Sequence, residues 1–226
     1  MDFEVLPGPP LAELARTAVA SAAAATVSCG RAGGGASAAA PVAMRADAAG
    51  QPILLPAADS ALARELAGQP AGVTVRIPAR PPFAALRLTG TVRPGGPGGR
   101  SERGWPSCFA VSLDSASFDG AIPAPVPLAQ YRAAEPDPLW RQAPAVLQHL
   151  ERGHMAELVA CTRAHGMSQA DWVVPSGLDR FGLKLLVFTM DGVTEARLSF
   201  PDGPVASLAQ VPASLRAVLS CRCRPA

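Results

Sequence analysis

Short apolar segments, separated by turns rich in glycine and proline, fill the first half of the chain. Apolar and polar positions alternate through Val73, Val75 and Ile77, and again through Leu86 and Leu88. A period of two is typical of half-buried strands. Together, these segments predict six strands, over residues 25–29, 41–46, 53–56, 73–77, 86–92 and 108–113. With a helix over about 11–24 before them and another over about 59–67 between them, they predict a small closed β-barrel.

A proline-rich segment follows the predicted barrel. Pro123, Pro125, Pro127, Pro136 and Pro138 lie between residues 121 and 138. Because proline fixes its own φ angle and lacks an amide hydrogen, this segment is predicted to be an irregular linker. The predicted domain boundaries are therefore 1–120 for the barrel, 121–138 for the linker and 139–226 for a C-terminal domain.

The C-terminal third changes from a helical period to strand-like runs. Steps of three and four between apolar residues predict one helix over about 144–165. Three strands are predicted over about 172–174, 183–189 and 194–200, the last two facing each other across Asp191-Gly192, and then a helix over about 211–221. The predicted fold class is α+β, with a β-barrel followed by a helix, three strands and a helix.

Composition narrows the choice of partner. The chain has 226 residues, of which 49% are hydrophobic, and a net charge of +2. A charge this close to neutral argues against nucleic acid, and no apolar run approaches the roughly 20 residues that span a bilayer. Five cysteines without a CxxC pair indicate reduced thiols, and Cys221-x-Cys223 has no further ligand at metal-binding spacing. We therefore expect a cytoplasmic protein whose partner is a small molecule or another protein.

His149 and His154 are the residues best suited to chemistry. A spacing of five places two side chains about 140° apart on a straight helix, so both can face one metal only if Gly153 breaks the helix. His154 falls on the apolar stripe with Leu150 and Leu158, which fits either a core residue or an axial haem ligand in an apolar pocket. His149 points to the flank and fits either a solvated residue or a ligand.

The segment Leu178-Asp179-Arg180-Phe181-Gly182 has the character of a turn that enters a strand. Asp179 is predicted to cap or bend the chain, Arg180 to pair with a carboxylate, and Phe181 to fill the core. Arg197 carries a guanidinium that matches the oxygens of a propionate or phosphate, although a strand arginine of this kind more often lies on the exposed face.

The C-terminal portion, about residues 138–223, resembles the C-terminal domain of the HugZ-type haem oxygenases and of their relatives that bind glutamyl-tRNA reductase. The resemblance is carried by the His-x4-His helix, by the Leu-Asp-Arg-Phe-Gly turn, and by the strand end Arg197-Leu198-Ser199-Phe200-Pro201. It implies haem chemistry for this chain. The candidate haem contacts are His149, His154, Arg180 and Arg197, with His154 and His149 as the candidate iron ligands.

The N-terminal portion resembles the FMN-binding split barrel of the pyridoxamine 5′-phosphate oxidase-like superfamily. Residues 25–29, 53–56 and 62–66 carry this resemblance, which implies a split β-barrel, flavin as a second cofactor, and a homodimer that completes the ligand cleft. In the helix that contributes to the flavin edge, Leu62-Ala63 and Glu65 replace polar groups of the family. Arg64 is the candidate phosphate contact that is kept.

Two departures bear on the reaction. Glu151-Arg152-Gly153 replaces a polar trio between the two histidines, and no histidine follows His165, whereas HugZ-type enzymes hold iron through a histidine near the C-terminus. We therefore expect a haem- or tetrapyrrole-binding protein that senses, carries or regulates without degrading its ligand. The alternatives are an FMN-dependent oxidoreductase or HugZ-like haem oxygenase, and a protein-binding regulatory module. The sequence leaves catalysis open.

Overall fold

The computed structural model describes residues 8–30, 35–68, 72–79, 83–94 and 108–220. The chain divides into two compact units, one of residues 11–136 and one of the residues from 137 onward together with those before 11. The first unit holds a β-barrel and the second a three-stranded sheet with helices. The predicted α+β class, with a split barrel followed by a helix–three-strand–helix module, is confirmed.

Six antiparallel strands close the barrel of the first unit. They are β1 (Ala24–Cys29), β2 (Ala40–Ala46), β3 (Pro52–Leu55), β4 (Val73–Pro78), β5 (Ala85–Pro94) and β6 (Phe109–Asp119). Neighbouring strands follow the order β3-β2-β1-β4-β5-β6, and β3 also pairs with β6, where Leu54 lies opposite Phe109. Because Val73, Val75 and Ile77 are all buried, the alternation predicted for β4 is confirmed.

Helices α1 (Leu11–Ser21) and α2 (Ala61–Ala67) are among the elements that pack on the barrel core. Helix α1 buries Ala15 and Val19 on one face, and helix α2 buries Leu62 and Leu66. The side chain of Ser60 accepts a hydrogen bond from the Ala63 amide at 3.0 Å, so α2 begins at a capping serine, as helix N-termini prefer.

The segment 121–138 is more regular than the sequence predicts. It contains a short strand β7 (Ala124–Pro125), paired with β6, and a helix α3 (Leu128–Ala133). The prediction of irregular structure throughout is wrong because the prolines flank a proline-free stretch. Pro127 lies just before the helix, where its missing amide hydrogen costs nothing, and the next proline comes after the helix has ended.

Tyr131 of α3 ties this segment to the barrel. Its buried hydroxyl donates a hydrogen bond to the Gly50 carbonyl at 2.6 Å. Arg16 of α1 lies over the Tyr131 ring, 5.4 Å from its centre, and donates to the carbonyls of Ala134 and Ala49. Burial raises the pKa of Tyr131 more than Arg16 lowers it, so the hydroxyl keeps the proton that it donates.

Tyr131→Phe should lower the free energy of unfolding by about 1 kcal/mol, because it leaves the Gly50 carbonyl without its buried donor. Urea denaturation of wild type and variant measures the difference. Ser21→Ala removes an exposed hydroxyl from α1 and should be nearly neutral. Equal stability of Tyr131→Phe and wild type would show that the hydroxyl does not hold α3.

The second unit is an antiparallel sheet with three helices. Its elements are α4 (Ala143–Gly153), α5 (Met155–Ala164), β8 (Trp172–Asp179), β9 (Gly182–Thr189), β10 (Gly192–Ser199) and α6 (Val211–Ser220). The sheet order is β10-β9-β8, and β9 and β10 form the predicted hairpin at Asp191-Gly192. The core is formed by apolar side chains of helices and strands, among them Leu150, Leu158, Leu183, Leu185 and Val218.

Candidate functional site

The predicted helix over 144–165 is two helices with a break at His154. Helix α4 ends at Gly153, and α5 begins at Met155. His154 has φ −131° and ψ 21°, outside the helical range, yet its amide donates to Leu150 at 2.9 Å and its carbonyl accepts from Leu158 at 3.0 Å. His154 therefore ends one helix and starts the next. Glycine before it is the residue that least favours helix continuation other than proline.

This break brings His149 and His154 together. The Nε2 atoms of the two rings are 3.2 Å apart, their ring centres are 5.0 Å apart, and the ring planes are inclined by 57°. A straight helix would place the two side chains on different faces, so the convergence depends on the change of direction at Gly153 and His154. The sequence predicted the condition for convergence, and the structure meets it.

The pair lies at the surface of the second unit. His149 is exposed, and the side chain of His154 is 38% exposed. The expectation that His154 lies on the apolar stripe is therefore wrong: Leu150 and Leu158 are buried, but the break rotates His154 out of their line. Half-buried apolar residues lie on the same two helices, namely Val146, Leu147, Met155 and Val159.

Glu157 lies on the other side of the His154 ring. Its Oε1 atom is 3.8 Å from Nδ1 of His154, which is ion-pair range but longer than a hydrogen bond, and its side chain is 57% exposed. The two groups attract each other as an ion pair only when His154 is protonated. Because both groups are exposed, the attraction is weak and orients the ring more than it stabilises the fold.

The Leu178–Gly182 segment is a structural turn between β8 and β9. Asp179 accepts a hydrogen bond from the Phe181 amide at 3.0 Å and two from the Arg197 guanidinium, at 2.7 and 2.6 Å. The predicted bend at Asp179 is therefore present. Phe181 is only half-buried and lies outside the core that the sequence predicted for it.

The two arginines predicted to contact haem take part in this turn. Arg197 directs its fork at Asp179, with only 16% of its side chain exposed, so two of its five N–H donors are already used within the protein. The Arg180 guanidinium lies over the Phe181 ring, 4.9 Å from its centre. The charges of Arg180 and the buried carboxylate of Asp137 also interact. The pairing of Arg197 with Asp179 depends on strand register, which the sequence does not supply.

Asp137 also fixes this turn, although it lies far before the turn in the sequence. This buried carboxylate accepts hydrogen bonds from the amides of Leu139 and Arg180, both at 2.7 Å, one on each oxygen. Burial raises the pKa of Asp137 despite these two donors. Sequence reasoning missed this residue; its position immediately after Pro136, 43 residues before the turn, gives no local signal of the contact.

Arg64, predicted to contact a flavin phosphate, is exposed in the last turn of α2 in the barrel unit. Glu65, the next residue, interacts electrostatically with the buried thiol of Cys29. Burial of the thiol has the larger effect and the negative charge of Glu65 the second, and together they raise the pKa of Cys29 to about 11. The thiol therefore stays protonated at neutral pH and is a poor metal ligand.

The remaining thiols and carboxylates form no larger metal cluster. Cys29, Cys108 and Cys161 are reduced and buried, and Cys221 and Cys223 lie outside the described residues. Across the described ranges, no three His, Cys, Asp or Glu residues surround a common point. In the same ranges, no helix is both long and apolar enough to cross a bilayer.

Comparison with known proteins identifies the fold. No protein-family model and no curated protein sequence matches the chain. Among solved structures, a haem-binding protein from Mycobacterium smegmatis is similar, with a TM-score of 0.65 and 23% identity over 97% of this chain and 100% of that chain. A protein of unknown function from Agrobacterium tumefaciens matches with a TM-score of 0.41 and 17% identity, over 95% of this chain and 98% of that one. The chain therefore shares its two-part fold with the mycobacterial protein along its whole length.

Proposed function

We propose that this protein binds haem or a related tetrapyrrole and ligates the iron through His149 or His154. The observation that carries the proposal is the pair of surface imidazoles whose Nε2 atoms converge. Neutral imidazole nitrogen is a common axial ligand of haem iron. The mycobacterial protein with the same fold is a haem-binding protein, and this adds support.

In this proposal the two histidines are alternative ligands of the iron. Ligands on opposite faces of a haem approach the iron from opposite sides of the macrocycle. A separation of 3.2 Å between the two Nε2 atoms leaves no room for a porphyrin plane between them. Either imidazole can therefore ligate the iron, but both cannot do so at once.

Haemin titration of the His149→Asn, His154→Asn and double variants tests this assignment. Each single variant should keep a Soret band of imidazole-ligated haem, because the other ring remains. The double variant should lose that band and bind haemin at least about tenfold more weakly. His165→Asn is the matched control, since this third histidine lies 3.4 Å from the Cys161 thiol, away from the pair in sequence. An unchanged titration in the double variant would remove the proposal.

The proposed role is binding without degradation, for sensing, carriage or regulation. It is supported by Glu151-Arg152-Gly153, which replace the polar trio that the family has between the two histidines. With a reductant and oxygen, the Soret band of the complex should persist. Its decay to the spectrum of an open-chain tetrapyrrole would identify a haem oxygenase instead.

The other sequence-based hypotheses remain predictions. FMN binding is supported by the barrel and the exposed Arg64, and it predicts a yellow protein as purified. A protein-binding role and a homodimer follow from the resemblance of the barrel and C-terminal domain to known families. One absorbance spectrum of the purified protein, followed by sedimentation at two concentrations, separates these cases.

A further inference from the structure

We infer that His149 and His154 also form a chelating site for a single divalent transition-metal ion, such as Zn²⁺, without haem. The inference rests on the separation and direction of the two Nε2 atoms. Unlike haem iron, a small ion can be bound by both rings at the same time and from the same side.

The separation fits two ligands of one ion. Zinc–imidazole bonds are about 2.0–2.1 Å long, and two of them at a tetrahedral angle place the nitrogens about 3.3 Å apart. The observed separation is 3.2 Å. Ligands on opposite sides of an ion would be about 4 Å apart, so the pair has the spacing of adjacent ligands.

The two rings already face each other through the nitrogens that would bind the ion. Each Nε2 atom binds an ion through its lone pair, without a proton. Glu157 lies on the Nδ1 side of the His154 ring, 3.8 Å from that atom. Without an ion, one ring can donate to the other across the 3.2 Å, and this hydrogen bond keeps the two rings near the binding arrangement.

Two imidazoles define the class of ion. Imidazole nitrogen suits Zn²⁺, Ni²⁺ and Cu²⁺, whereas Mg²⁺ and Ca²⁺ prefer oxygen. Because no third His, Cys, Asp or Glu of the described chain completes a cluster here, water fills the other coordination positions. Such a site is open and exchanges its ion, unlike a structural zinc site with four protein ligands.

Competition against a chromophoric zinc chelator, with no haemin present, tests the site. The full chain should carry Cys221→Ser and Cys223→Ser, so that these two thiols do not bind the ion. We expect one zinc ion per chain, displaced by Ni²⁺ but not by Mg²⁺. His149→Asn and His154→Asn should each lower zinc affinity at least about tenfold, because each removes one of two ligands. His165→Asn should leave it unchanged.

The outcome is independent of the haem proposal. Haem binding predicts that each single variant still ligates the iron. Zinc chelation predicts that each single variant binds zinc at least about tenfold more weakly. Nitrogen-15 NMR adds a direct readout: zinc should shift the Nε2 resonances of both rings. Absence of saturable zinc binding, or single variants with wild-type zinc affinity, would overturn the inference even if haemin binds.

Discussion

Gly182→Ala should destabilise the second unit by more than about 3 kcal/mol. Gly182 begins β9 with φ +152°, a conformation that an L-residue rarely adopts. A Cβ atom there would lie 2.2 Å from the carbonyl oxygen of Leu198 on β10, and this neighbour is backbone that cannot move aside. The urea midpoint, followed by the fluorescence of Trp140 and Trp172, measures the loss.

Alanine substitutions at three other glycines separate the effect of backbone strain from the effect of a steric clash. Gly192 has φ +134° with nothing within 4 Å of a Cβ, so alanine there should cost about 1–3 kcal/mol from strain alone. At Gly90 a Cβ would lie 2.0 Å from the Ser112 carbonyl without positive φ, so alanine tests collision alone. Gly153 has neither problem, and alanine there should raise stability by up to about 1 kcal/mol. A Gly182→Ala variant as stable as Gly192→Ala would contradict the collision.

Asp179→Ala should cost about 3–5 kcal/mol, because it leaves the Arg197 guanidinium without its partner at a site where only 16% of that side chain is exposed. It also removes the acceptor of the Phe181 amide. Arg197→Ala should cost less, since Asp179 then still accepts from that amide. Urea unfolding of both single variants and the double variant gives the coupling energy of the pair.

The exposed ion pair of Arg76 and Asp119 is the matched control. Its N–O distance is 2.8 Å, but 51% of the Arg76 side chain is exposed, so Arg76→Ala should cost less than about 1 kcal/mol. Equal losses for Asp179→Ala and Arg76→Ala would show that the turn does not depend on the buried pair. The conformation of the Leu178–Gly182 turn would then have to depend on other contacts.

The sequence predicts the barrel strands and the C-terminal hairpin well because their signals are local. Alternation in Val73, Val75 and Ile77 fixes which face of β4 is buried, and the Asp191-Gly192 turn fixes the hairpin. The error in 121–138 has a local cause too: the number of prolines predicts irregular structure, but their spacing leaves Leu128–Ala133 without one.

The site required information that no local pattern holds. Gly153 permits a helix break but does not make one certain. The sequence therefore predicts that His149 and His154 converge only if the helix breaks there. Asp179 and Arg197 are 18 residues apart, and Asp137 and Arg180 are 43 apart. These pairs depend on strand register and on how the chain before α4 reaches the turn, and no local pattern in the sequence reveals either.

The most direct test of the central claim is the iron–histidine stretching band in the resonance Raman spectrum of the ferrous haem complex. We predict that wild type, His149→Asn and His154→Asn each give this band and that the double variant gives none. A band of undiminished intensity in the double variant would mean that the iron is held elsewhere, and the assignment to this pair would be wrong.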